Sequence, residues 1–311
     1  MPKQVLAIVG ATATGKSALA DALAHVLDGE VVSADSMQVY KGMDIGTGKI
    51  PFAERSVPYH CLDLVDPNQD FNVALYQRAA RQSINDILTR GRLPVLCGGS
   101  GLYIRAALDA FDLDGAERPC DPALRQQLAQ EAKSLSSEQL HALLAERDSQ
   151  SATLIHPHNR RRVLRALELL EQGDSYAQKS RNFSAFRPYF DTCYLGLDLP
   201  PVDLYQRIGR RVDHMIATGL LQEVEDLVAA GFRQALSARQ AIGYKELLPV
   251  LDDHALLDTA ISYIKQATRR YAKRQRSWFR RDLRIQSLDA SVPTGRLVHR
   301  AFCLAQIALG R

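Results

Sequence analysis

Residues 10–17 read GATATGKS, and no other stretch constrains the fold of this 311-residue chain so tightly. The octapeptide fits the spacing G-x-x-x-x-G-K-[ST], follows the apolar run VLAIV (5–9) and precedes the helix-like ALADALAHVL (18–27). In that context a loop joins a strand to a helix and turns successive N–H groups and the helix N-terminus onto one anion. The loop residues are Gly10, Ala11, Thr12, Ala13, Thr14, Gly15, Lys16 and Ser17. Lys16 adds a positive charge, and Ser17 a hydroxyl suited to a phosphate-bound Mg2+. A glycine turn with no ligand explains neither. The motif leaves open whether the phosphate compound passes on a phosphoryl group, as in a kinase, or carries a diphosphate that departs.

Short apolar runs alternate with helical patterns through the first hundred residues. GEVVSADS (29–36) reads as a second strand ending in polar residues, and LPVLCGG (93–99) as another buried one. Between them DFNVALYQRAARQSINDILTRG (70–91) is an amphipathic helix stopped by Gly91. Strands spaced by helices predict a P-loop NTPase-like α/β core, a parallel sheet flanked by helices with ligands at the C-terminal strand ends. From about Asp112 the strand signal stops until TCYLGLDL (192–199). In the gap, Asp121 and Pro122 open one helix and a Ser136-x-x-Gln139 capping box opens another. An all-helical insertion over 112–190 is expected within a core formed by 1–111 and 191–311. After Pro200–Pro201 the chain reads as helical almost to its end.

Hydrophobic residues at 46% and charged ones at 24% fit an ordinary soluble chain, and no run approaches a membrane span. Lys3 and five apolar residues before the loop argue against a signal peptide. Five scattered cysteines (61, 97, 120, 193, 303) suit free thiols in a reducing cytosol, not a disulfide framework or a structural zinc site.

Asp35, at the end of the second strand, can orient Mg2+ or accept a proton from a nucleophile; it can equally cap a turn. Gln38 can read a base edge or be a surface amide. GGSGLY (98–103) allows close backbone approach to a ligand, or makes a tight turn. HPHNRRRVLRALELL (156–170) carries Arg160, Arg161, Arg162 and Arg165 beside an apolar face, as a phosphate clamp or a solvated helix face. His156 and His158 read as loop residues, lacking partners at metal-ligand spacing. KQATRRYAKRQRSWFRR (265–281) holds eight Lys/Arg and no acid, with Ile261, Ile264, Thr268, Tyr271 and Trp278 at helical steps. That density fits a nucleic-acid backbone groove, with Arg270, Arg274 and Arg281 as phosphate contacts. The chain lacks the N-K-x-D motif of a GTPase, and LPVLCGG ends without the Mg2+-binding acid of a typical P-loop NTPase.

GATATGKS, SADSMQVYKGMDIGTGK, VPYHCLDLVDP, LCGGSGLYIRA, NRRRVLRALEL, RRVDHMIATGLLQEV, RQAIGYKEL and QATRRYAKRQRSWFRR follow one another in this order. Together they resemble the bacterial tRNA dimethylallyltransferases, which prenylate the adenosine 3′ of the anticodon, and the resemblance runs from about Lys3 to Asp282. Ala11 replaces a frequent proline and Gln172 a usual threonine. The resemblance implies that Thr12 to Ser17 bind the diphosphate of dimethylallyl diphosphate, with Ser17 toward Mg2+, and that Lys16 and Arg211 neutralise the leaving group. It implies that Asp35 frees the exocyclic amine of adenine. It also implies tRNA contacts at Asp35, Ser36, Met37 and Gln38, and at Asn159, Arg160, Arg161, Arg162 and Val163. Further implied contacts are Arg239, Gln240, Ala241, Ile242, Gly243 and Tyr244, with isolated ones at Gly101 and Ala123. A monomer in the cytosol is the corresponding expectation. A P-loop kinase is the rival reading, but it has no need of the basic aromatic helix.

Overall fold

The computed structural model describes residues 4–110, 122–184 and 186–310. Strand β1 (Gln4–Gly10) is buried from Val5 onward and feeds the 10–17 loop, which enters α1 (Lys16–Val26). Gly15 has φ 95°, the left-handed region that glycine adopts without steric cost, and this bend turns the loop into the helix. Next come β2 (Gly29–Ser33), the two-residue β3 (Tyr59–His60) and α2 (Val73–Thr89). The Asn72 side chain caps α2 by accepting from the N–H groups of Ala74 and Leu75. Buried β4 (Leu93–Gly98) leads to α3 (Gly101–Leu108).

The chain then forms α4 (Pro122–Ser134), α5 (Ser137–Arg147), α6 (Ser149–Leu154), α7 (Arg160–Glu171) and α8 (Tyr176–Ser184). It returns in β5 (Asp191–Asp198) and continues through α9 (Pro201–Ala217), α10 (Leu220–Ala229), the short α11 (Tyr244–Leu247) and the long α12 (Leu257–Phe279). It closes with β6 (Ile285–Asp289) and α13 (Thr294–Leu309).

The six strands form one parallel sheet in the order β3-β2-β4-β1-β5-β6. From β1 the chain crosses to β2 on one side, and from β4 it crosses to β5 on the other. The crevice between the C-terminal ends of β1 and β4 is therefore a switch point, where open α/β sheets take their ligands. The sheet is the P-loop-type core expected. Two strands escape sequence reading: β3 has only two residues, and β6 is an edge strand with Leu288 its one buried side chain. The helical stretch after Pro201 is interrupted there.

By its contacts the chain divides into two compact units, residues 109–187 and the remainder. The described residues of the smaller unit are helical around a core that includes Leu140, Leu144, Ile155, Val163 and Leu167. The Ser136 and Gln139 side chains form the expected capping box at α5. Asp121, expected to cap α4, and Cys120 lie outside the described residues. In the larger unit β1 sits at the centre, and the remaining four cysteines are free thiols, three of them buried.

Candidate active site

Two cavities open at the C-terminal strand ends of the larger unit. The narrower is lined by Thr12, Lys16, Ser17, Gln38 and Cys97. The wider, of about 450 Å³, is lined by Ser36, Met37, residues 240–244, Arg270 and Arg274, with an apolar wall including Ile208, Val212 and Ile264. Thr12, Asp35, Thr47, Arg211 and Tyr271 border both. Nine tRNA-contact expectations therefore share the wider cavity with Asp35, and the loop lysine and serine lie in the narrower.

On the loop side, Lys16 Nζ donates to the Ala11 carbonyl at 3.1 Å. Burial lowers the Lys16 pKa below the ordinary lysine value; Cys97 and Asp35 act to raise it, and Arg211 lowers it further. Arg211 is likewise lowered by burial and partly restored by Asp35. Strand β4 carries Cys97 and no acid. Burial pushes the Cys97 thiol up to about 11, so it is neutral at physiological pH.

Asp35 lies two residues beyond β2, which ends at Ser33 rather than running to 36. Its Oδ1 accepts the Met37 N–H at 2.9 Å, so the turn-capping reading is correct. The same bond fixes the carboxylate, and Asp35 borders both cavities.

Gln38 lines the narrower cavity and is held by its neighbours. Its Oε1 accepts from Ser33 Oγ at 2.8 Å and its Nε2 donates to the carbonyls of Thr47 and Gly48 at 3.3 and 3.4 Å. Both ends of the amide are thus engaged within the protein, with one Oε1 lone pair left over. Gly101 is closely approached from within the protein: a Cβ there would lie 2.1 Å from the Trp278 indole nitrogen. The group that approaches it is a side chain of α12.

The segment 44–49 is pinned from two sides, and sequence reasoning missed both pins. Glu223 of α10 accepts the N–H groups of Asp44, Ile45 and Gly46 at 3.0, 2.7 and 3.2 Å, and the Tyr244 hydroxyl at 2.6 Å. Burial, then the Glu223 charge, holds the Tyr244 phenol far above its ordinary pKa. The buried Lys49 reaches the Tyr40 carbonyl at 2.7 Å, Asp44 at 2.6 Å and Asp63 at 2.5 Å. The segment in turn supports Arg211, whose Nη2 donates to the Thr47 carbonyl at 3.4 Å. Glu223→Ala should cost about 2–3 kcal/mol, because four donors lose one anionic acceptor, whereas Glu223→Gln should cost less. Urea unfolding checks this: the midpoint should fall with an unchanged slope.

On α12 the buried line is Ala260, Ile264, Ala272 and Gln275, while Trp278 is partly exposed. Lys265 pairs with Asp213 at 2.5 Å, and Arg276 and Arg280 with Asp198 at 2.8 and 3.8 Å. Among the described residues Arg269, Arg270, Lys273, Arg274 and Arg281 form no ion pair, and the last three line a shallow groove with Trp278. Tyr271, expected only to pack, borders both cavities, and burial followed by the Asp35 charge raises its phenol to about 12. Arg239 lies outside both cavities, donating to the Arg233 carbonyl at 3.1 Å.

In the smaller unit the arginine cluster divides by its surroundings. Asn159 caps α7, Arg160 donates to the Leu135 carbonyl at 3.0 Å, and Arg165 pairs with Glu168 at 3.0 Å. Val163 is fully buried in the core, so its side chain is closed to any partner. Arg161 and Arg162 are exposed, as is Ala123 in the first turn of α4. The rings of His156 and His158 lie 5.3 Å apart, and no cluster of His, Cys, Asp or Glu among the described residues is built to hold a metal alone. Among those residues no helix is long and apolar enough to cross a membrane.

Comparison with known proteins agrees with this geometry. The IPP transferase family profile matches residues 38–282, and an isopentenyl transferase profile matches residues 3–56. A tRNA dimethylallyltransferase of Carboxydothermus hydrogenoformans is 44% identical over 93% of this chain and 93% of its own length. The crystal structure of the full-length tRNA isopentenylpyrophosphate transferase from Bacillus halodurans is 39% identical, covers 99% of this chain and 97% of that one, and superposes with a TM-score of 0.73. A eukaryotic dimethylallyltransferase captured acting on tRNA is 31% identical, covers 99% and 80% of the two chains, and gives a TM-score of 0.81. With a profile match over most of its length and relatives this similar end to end, the chain belongs to the IPP transferase family.

Proposed function

We infer that this chain transfers a dimethylallyl group from dimethylallyl diphosphate to the exocyclic amine of an adenosine beside the anticodon of tRNA, releasing diphosphate. One observation carries the reading: two cavities, one at an anion loop and one beside a cationic helix, share a wall that contains Asp35 and Arg211. The diphosphate lies on the loop N–H groups of residues 13–17 and on Lys16. The target base, taken out of its stack, enters the wider cavity. The amine nitrogen forms a bond to the allylic carbon as the carbon–oxygen bond to diphosphate breaks, and the amine proton passes to Asp35 Oδ2. Arg211 and Lys16 neutralise the departing charge. Mg2+ fits this site as a partner of the diphosphate: Ser17 offers a hard oxygen ligand in the first turn of α1, and Mg2+ usually completes its shell with water and substrate phosphate. Bound there, it would spread leaving-group charge.

Arg270, Arg274 and Arg281 take tRNA phosphates, with Arg161 and Arg162 as further contacts. The enzyme acts as a cytosolic monomer. Incubation with dimethylallyl diphosphate and bulk tRNA, followed by digestion, should yield prenyl-adenosine; ATP-dependent phosphorylation of an acceptor without prenyl transfer would favour a kinase instead. Alanine at Arg270, Arg274 or Arg281 should flatten the plot of log affinity against log salt by about 0.7–0.9 per lost contact. Filter binding of an anticodon stem–loop across a salt series reads this. Three unchanged slopes would leave α12 as a solvated face.

A further inference from the structure

Gln275 stands inside the cationic run of α12, yet it is buried. Its Oε1 accepts the Thr12 N–H of the anion loop at 2.9 Å, and its Nε2 donates to the Gly99 carbonyl at 2.9 Å. A buried amide is costly unless both ends are paired, and here both are, with groups from the two loops that follow β1 and β4. The fit is close: a Cβ on residue 99 would lie 2.3 Å from Gln275 Nε2, so a glycine is needed for the amide to enter. Two features make the contact more than packing. The Thr12 N–H, at the mouth of the loop, is already engaged and is not free for an anion. The engaged group also follows Arg274 directly in sequence, and Arg274 borders the wider cavity.

We propose that Gln275 is a positioning residue that couples the cationic helix to the anion loop. Phosphates held by Arg270 and Arg274 restrain α12; the restrained amide then fixes the Thr12 peptide, and with it the direction of the N–H groups that follow. The proposal rests on the assignment of the loop to diphosphate and of α12 to RNA. Coupling of this kind is reciprocal, so RNA tightens diphosphate binding by the factor that diphosphate tightens RNA binding. One hydrogen-bonded link of this type is expected to give a factor of about three to ten.

Calorimetry on the full chain tests it, with inorganic diphosphate and Mg2+ as the probe, in the absence and presence of a saturating anticodon stem–loop. The ratio of the two affinities is the coupling factor. In wild type it should be about three to ten; in Gln275→Met, which keeps volume and loses both hydrogen bonds, it should fall to about one. RNA binding alone should stay close to wild type, while the thermal midpoint should fall, since the Thr12 N–H and the Gly99 carbonyl lose their partner. Gln275→Glu keeps the acceptor for Thr12 but adds charge, so diphosphate affinity should drop in both arms while the ratio stays above that of Gln275→Met. A merely structural role would weaken both arms together and leave the Gln275→Met ratio at the wild-type value, which overturns the proposal. A wild-type ratio of one also overturns it. Wild-type protein that binds no diphosphate at all removes the loop assignment itself, and the coupling with it.

Discussion

Asp35→Asn is expected to lower kcat about 10²- to 10⁴-fold, the contribution of a positioned general base. The substitution keeps the geometry: the asparagine oxygen can still accept the Met37 N–H that Asp35 Oδ1 accepts at 2.9 Å. That bond directs the NH2 group to the place of the other carboxylate oxygen. An NH2 there points hydrogens at the hydrogens of the incoming amine and takes no proton. Donor and tRNA affinities should change much less than kcat, since neither the loop nor α12 is altered. Single-turnover prenyl transfer with saturating substrates separates these effects. A kcat near wild type would reduce Asp35 to a turn cap.

Lys16→Ala should nearly abolish turnover, by at least about 10²- to 10³-fold, because a preorganised positive charge on the leaving diphosphate is lost in an enclosed site. Diphosphate binding should weaken with it. The same charge can be removed by pH. Burial, reinforced by Arg211, lowers the Lys16 pKa, so the free enzyme should lose this proton below the ordinary lysine value of about 10.4. For a group depressed on folding, the unfolded chain binds the proton more tightly. Its stability contribution is therefore present above the unfolded pKa and is lost as pH falls through the folded one. A bound diphosphate reverses that preference, so binding should take up protons within this window. Calorimetry in buffers of different ionisation enthalpy measures the uptake: it should appear as the pH approaches the lowered pKa and vanish in Lys16→Ala.

Much of this was legible because it is local. The anion loop is contiguous, its strand and helix flank it directly, and the charge of α12 lies in one seventeen-residue run. What escaped depends on partners remote in sequence. Gln38 looked like a free amide because its carbonyl partners lie nine and ten residues on, in a segment without secondary-structure signal. Glu223 is one acid among many on an amphipathic helix; its significance lies in three N–H groups some 178 residues earlier. GGSGLY reads as a loop that lets a ligand come close to the backbone; that the Gln275 and Trp278 side chains come close to it is something periodicity cannot say. The arginines of α7 show the same limit. Composition counts charges, while only the fold separates Arg160, engaged with a backbone carbonyl, from exposed Arg161 and Arg162.

The position of β1 bears on how the chain is made. It is made before either of its neighbours in the sheet, β4 and β5, with which it pairs in register from Leu6 with Val95 and from Gln4 with Asp191. At about 5–20 residues per second, roughly ten to forty seconds separate the synthesis of β1 from that of β5. Throughout that interval one edge of the central strand is unpaired and exposed to chaperones or to aggregation. The Thr12 peptide waits longer still for Gln275. The anion loop is thus translated long before it is completed, so a ribosome stalled before α12 would display a P-loop sequence whose binding site is unfinished.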